Sequence, residues 1–246
     1  MATNSDISHA KNVTNFETLI SAVTTFGETY NPSNERIKLP TLQSLLAQAT
    51  EALIALKNAQ SAYSTAIDQR ELAFKNIGSL FTRVSNALKA SNSSVMSDET
   101  AKTIFRKLQG KRASAKLTDE EKAALQAEGK EVNQISVSQM GYNDRVENFE
   151  KLISLLQSIP EYNPNEEDLK ISTLQTLLND LKAKNAEVTK TSIALETARG
   201  ARNEVLYKPL TGVVDTASDV KNYIKSVFGT SSTQYKLISK LRFVKL

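Results

Sequence analysis

Apolar residues recur along this chain at helical spacing, and they do so twice. Val13, Phe16, Leu19, Ile20, Val23 and Phe26 form one stripe, and Val146, Phe149, Leu152, Ile153 and Leu156 form another. The i, i+3, i+4, i+7 pattern predicts an amphipathic helix of about four turns in each place. Gly27 stops the first and Pro160 follows the second, both helix-stop signals. Tyr-Asn-Pro comes next in each case, then a polar turn, Asn31–Lys38 or Asn163–Lys170. A second helix is expected to restart there, with Pro40 suited to its first turn and Ser172 with Gln175 reading as a capping box. From Leu39 to Leu88 apolar or long side chains alternate in steps of three and four, spoiled only by Gln60 and Arg70. Ala52, Ala59, Ala66, Ala73 and Ala87 flank that stripe at multiples of seven, and small residues at this spacing let a neighbouring helix approach closely. Unbroken to Ala90, the helix would run roughly 75–80 Å. In the second long segment Ile171, Leu174, Leu178, Leu181, Val188 and Leu195 keep the stripe until one extra residue enters near Asn203–Tyr207, with Pro209 and Gly212 beyond. A bend is expected in both segments, weak near Gly78 and definite near Pro209.

The recurrence extends to residue identity. Val13–Ser21 and Val146–Ser154 match at seven of nine positions, and Tyr30–Leu46 and Tyr162–Leu178 at ten of seventeen. Such blocks at a fixed offset indicate an internal duplication with a period of about 132 residues. The match continues at Ile104, Phe105, Lys107 and Leu108 against Leu237, Ile238, Lys240 and Leu241, with Ser97 and Ser231 expected to cap the terminal helices. The organisation read from this is a polar leader at 1–12, a first helical repeat at 13–108, a connector at 109–145 and a second repeat at 146–246. Within the connector, Thr118 and Glu121 suggest a capping box for a helix at Asp119–Glu128 closed by Gly129, and Ile135–Tyr142 is expected to run extended. The expected fold is therefore all-α: an elongated antiparallel helical bundle built from a tandem internal duplication, with a short helix, a long helix and a short terminal helix in each copy.

Composition agrees with that class. The 246 residues include 8 glycines and 5 prolines, are 6% aromatic and 40% apolar, and contain no cysteine. Disulfides, thiolate metal sites and a cysteine nucleophile are thereby excluded. Met1–Asn12 lacks the apolar core of a secretory signal and no run reaches the roughly 18 apolar residues of a membrane span, so a soluble, cytoplasmic protein is expected.

Candidate chemistry is sparse. His9, the sole histidine, lies in the polar leader and is expected to be solvated, with no second imidazole or thiol to share a metal. Gly110-Lys111-Arg112-Ala113-Ser114 lacks the first glycine of a phosphate loop, has arginine at the magnesium-binding position and follows no predicted strand. Glu166, Glu167 and Asp168 precede a helix start, where acids complement the dipole, and the matching segment of the first repeat keeps only Glu35 and sets Arg36 opposite Asp168. No catalytic set, metal or cofactor is expected.

Charge supplies the one functional signal. Lys102, Arg106, Lys107, Lys111, Arg112 and Lys116 lie between Ala101 and Leu117 without an intervening acid, and Lys221, Lys225, Lys236, Lys240, Arg242 and Lys245 follow Asp219 in the same way. Cations at helix C-termini are stabilising in their own right, but two such tracts at equivalent places can form positive patches for an acidic partner or surface. Lys102, Arg106, Lys107, Lys111, Arg112, Lys236, Lys240 and Arg242 are the candidate binding residues. The expected function is a non-enzymatic structural or protein-interaction module, self-associating or bound to another protein. A membrane-active amphipathic bundle acting on an anionic surface is the alternative, and a carboxylate-based enzyme a third. Sequence-specific nucleic-acid binding is not expected, because the net charge is only +4 and tryptophan is absent.

Overall fold

The computed structural model describes residues 4–111, 118–128 and 140–246. Among these the chain is all-α, with helices α1 (Asn4–Thr25), α2 (Leu39–Lys75), α3 (Ile77–Lys89), α4 (Val95–Leu108), α5 (Asp119–Ala127), α6 (Tyr142–Gln157), α7 (Ile171–Tyr207), α8 (Val213–Phe228) and α9 (Thr233–Ser239), and no strand. No helix among the described residues is long and apolar enough to cross a membrane. Gly129 and 135–139 of the expected extended segment lie outside the described residues, while Tyr142 opens α6. Helix α1 reaches back through the polar leader to Asn4.

The matching sequence blocks fold alike locally. Helices α2 and α7 are each 37 residues long, about 55 Å at the usual rise, and both begin and end 132 residues apart. Ahead of each, a 3₁₀ turn at Glu35–Ile37 or Glu167–Leu169 brings the chain round. The Tyr30 hydroxyl donates to the Ile37 carbonyl at 2.6 Å and the Tyr162 hydroxyl to the Leu169 carbonyl at 2.9 Å, so one buried tyrosine latches each turn. The Lys38 and Lys170 carbonyls then accept from the Leu42 and Leu174 amides at 3.0 Å, which places Ser172 inside the first turn of α7 rather than at its cap.

Both long segments break close to the expected places, briefly beside Gly78 and more fully around Pro209. The first leaves helical geometry at Asn76 (φ −103°, ψ 5°), and Gly78 lies within α3. Between α7 and α8 five residues, Lys208–Gly212, form a turn around Pro209 that the Gly212 amide closes by donating to the Lys208 carbonyl at 2.8 Å, so the second long segment carries four residues more than the first at the break rather than one. Leu210 sits there at φ 69°, a strained conformation for a branched side chain. Its amide donates to Asp215 Oδ2 at 3.0 Å and its carbonyl accepts from Arg36 at 2.9 Å, which hold it in place. The terminal helices are capped by Ser94 and Ser232, whose side chains accept from the Ser97 and Tyr235 amides, not by Ser97 and Ser231.

The chain divides into two compact units, each of which draws on both of the matching sequence stretches. One comprises Met1–Ser64 with Lys190–Leu246, the other Thr65–Thr189. In the first, Phe16, Leu19 and Val23 of α1 join Leu42 and Ala49 of α2, Leu206 of α7, Ala217, Val220 and Ile224 of α8 and Ile238 of α9 in one apolar core. The first turns of α2 and the last turns of α7 thus share that core. Tyr30 meets Tyr223 edge-on at 5.2 Å and Phe26 meets Phe228 at 5.6 Å. In the second unit Phe149, Leu152 and Leu156 of α6 pack with Phe81, Val84 and Leu88 of α3, Phe105 and Leu108 of α4, Phe74 at the end of α2 and Leu174, Leu178 and Leu181 at the start of α7. Phe81 and Phe149, both fully buried, meet at 5.0 Å in an edge-to-face pair. Each such ring contributes about 1.5–3 kcal/mol by burial.

Candidate functional site

The first basic tract folds into a groove in the second unit. Helices α3 and α4 are joined by a tight turn in which Asn92 takes φ 57° and the Ser91 hydroxyl donates to the Leu88 carbonyl at 2.7 Å. That turn lays α4 beside α3 and leaves between them a cavity of about 410 Å³. Leu88, Ala101 and Phe105, all buried in the core, supply its apolar floor. Lys89, Lys102, Arg106 and Lys111 stand on its walls with Thr82, Ser85, Asn86 and Gln109. Among the described residues Asp98 is the one acid of the lining, and its carboxylate accepts from the Ser93 hydroxyl at 2.5 Å. Lys102 reaches Glu99 at 3.3 Å, but both side chains are more than two-thirds exposed, so that ion pair is weak.

Three of the predicted residues, Lys102, Arg106 and Lys111, are therefore brought together. Lys107 is outside the groove lining and lies close enough to Glu147 to help hold that carboxyl below its usual range, an effect caused first by the hydrogen bond and charge of Lys151. Arg112 is outside the described residues. Lys89 is a wall residue that the sequence reading missed. It ends α3, and Asp98 and Glu99 separate it from the acid-free run. Its position in the last turn of a helix leading into Ser-Asn-Ser-Ser was the available signal.

The second tract is built differently. Lys221 donates to the Leu241 carbonyl and lies 5.4 Å from the Phe243 ring, and burial lowers its pKa. Lys245 pairs with Asp215 at 2.7 Å; that hydrogen bond first, and the Leu210 amide second, hold the Asp215 carboxyl below its usual range. Asn12 clasps Val244 through both backbone groups, accepting at 3.0 Å and donating at 2.7 Å, while Asn15 donates to the Arg242 carbonyl at 2.6 Å. Residues 241–245 are thus strapped along α1. Lys236, Lys240 and Arg242 remain exposed around this strap. The expected solvation of His9 is overturned: it is 4% exposed, with Nδ1 at 2.5 Å from the Tyr207 hydroxyl. Helix α1, by starting at Asn4, carries His9 onto the apolar face that also bears Asn12 and Phe16.

Among the described residues no group of three or more histidines, cysteines or acids could hold a metal ion. Asp168 is engaged with Arg83 through both carboxylate oxygens. The chain matches no protein-family model, no curated protein and no solved structure.

Proposed function

We propose that this chain is a non-enzymatic interaction module that holds an acidic segment of a protein partner in the groove between α3 and α4. The observation that carries this reading is the groove itself, an apolar floor of Leu88, Ala101 and Phe105 walled by Lys89, Lys102, Arg106 and Lys111. Such a surface attracts carboxylates over several ångströms and gives apolar side chains between them a place to bury. A fluorescein-labelled peptide of alternating glutamate and leucine serves as probe in anisotropy titrations at low salt. Replacing Lys102 and Arg106 by glutamate should weaken its binding about tenfold or more. Equal binding by wild type and variant would overturn the reading.

An anionic membrane surface is the second reading, favoured by Val95 and Met96, which stand 80% and 83% exposed at the start of α4, the helix that carries Lys102 and Arg106. Co-sedimentation with phosphatidylserine vesicles distinguishes the two. Vesicle binding that is lost when Val95 and Met96 become serine, with peptide binding unchanged, would select the membrane.

A further inference from the structure

Two ion pairs occupy equivalent places in the two units with their signs exchanged. In one unit Arg36, on the 3₁₀ turn before α2, pairs with Asp219 of α8 at 3.6 Å. In the other, Asp168, on the 3₁₀ turn before α7, takes Arg83 of α3 in a two-point contact, one arm of which measures 3.1 Å. The latches Tyr30–Ile37 and Tyr162–Leu169 share an offset of 132, which makes Arg36 the counterpart of Asp168. The buried residues Ile77, Phe81, Val84 and Leu88 of α3 correspond to Val213, Ala217, Val220 and Ile224 of α8 at a constant offset of 136. Arg83 is therefore the counterpart of Asp219. The first copy holds arginine at both positions and the second holds aspartate at both.

We infer that these four residues are a recognition code through which each copy accepts the other and rejects its own kind, so that a like copy from a second chain does not fit the face that joins them. A first copy docked on a first copy would set Arg36 against Arg83, and a second on a second would set Asp168 against Asp219. Each exposed pair alone is worth little. A like-with-like assembly, however, loses two attractions and gains two repulsions at the same points, and rejection of wrong partners by opposed like charge is how weak surface pairs set specificity.

The test uses the full chain in three forms. The double variant R36D/D219R keeps opposite charges at both sites but leaves each copy with one acid and one base, which removes the code. The quadruple variant R36D/R83D/D168R/D219R reverses every sign and keeps it. Each protein is unfolded in guanidinium, refolded at rising concentration and sized by chromatography with light scattering. Wild type and the quadruple variant should refold as monomers, and the double variant should give about fivefold more dimer and higher species. Equal fractions in all three would overturn the inference, as would dimers in the quadruple variant matching those of the double. Should the double variant fail to refold, wild type refolded from 0.05 to 1 M sodium chloride decides the matter. Screening the code should raise the associated fraction, and a fraction independent of salt would refute it.

Discussion

Replacing Tyr162 by phenylalanine tests whether the tyrosine latch holds the turn before α7. The ring is 4% exposed, and its hydroxyl donates to the Leu169 carbonyl at 2.9 Å, the residue that closes the 3₁₀ turn. Phenylalanine keeps the ring and removes only the donor. The loss comprises one hydrogen bond, about 1 kcal/mol net, and a carbonyl left poorly paired, so about 1–3 kcal/mol in total. For a chain of this size that corresponds to a fall in Tm of roughly 2–12 °C. Alkaline pH gives a second readout. Burial first, and the charges of Asp168 and Glu166 next, push the Tyr162 pKa up to about 12, against about 10 in an unfolded chain. A group whose pKa is raised by folding contributes stability that is complete below pH 10 and is lost as pH rises through 12, a drain on the order of 2–3 kcal/mol. The phenylalanine variant has no such proton to lose. The difference in Tm between wild type and variant, measured by calorimetry, should therefore be largest near pH 8 and shrink towards pH 11. A variant indistinguishable from wild type at pH 8, or a difference that does not change with pH, would refute the latch.

Four further substitutions probe packing and the C-terminal strap. Phe81→Ala removes a fully buried ring from its contact with Phe149 and should cost about 3–5 kcal/mol in denaturant unfolding. Gly78→Ala should stabilise by about 0.4–1 kcal/mol, since a Cβ there meets open space within α3, whereas Gly212→Ala should destabilise, since its Cβ would stand 2.7 Å from the Lys208 backbone nitrogen. Asn12→Ala cuts both bonds to Val244, and limited proteolysis should then cleave the 241–246 segment at least several-fold faster while leaving α8 intact.

The elements were legible in the sequence because each depends on local periodicity. The stripes from Val13 and Val146 became α1 and α6, and Tyr-Asn-Pro marked the latched turns. The ends of helices were less legible. Gly78 suggested a bend nearby, and the break falls two residues earlier at Asn76, whose side chain makes no capping hydrogen bond, while Gly78 is carried within the next helix. His9 looked solvated because its sequence neighbours are polar, whereas its burial brings it against the Tyr207 hydroxyl, 198 residues away. Of the candidate site, the acid-free run gave Lys102, Arg106 and Lys111, but Lys89 entered through the turn that lays α3 beside α4. The pairing of residues 1–64 with residues 190–246 is a long-range property that no window of sequence contains.

That interleaving imposes an order on biosynthesis. Residues 65–189 complete one compact unit as soon as they leave the ribosome, but residues 1–64, made earlier, find their remaining core partners only in residues 190–246. At the usual 5–20 residues per second this interval lasts roughly 10–35 s. Throughout it Phe16, Leu19, Val23 and Leu42 lack the surfaces that cover them in the finished protein. The earliest part of the chain is thus the last to be sheltered, and its apolar face is where a chaperone acting during translation would be expected to hold on.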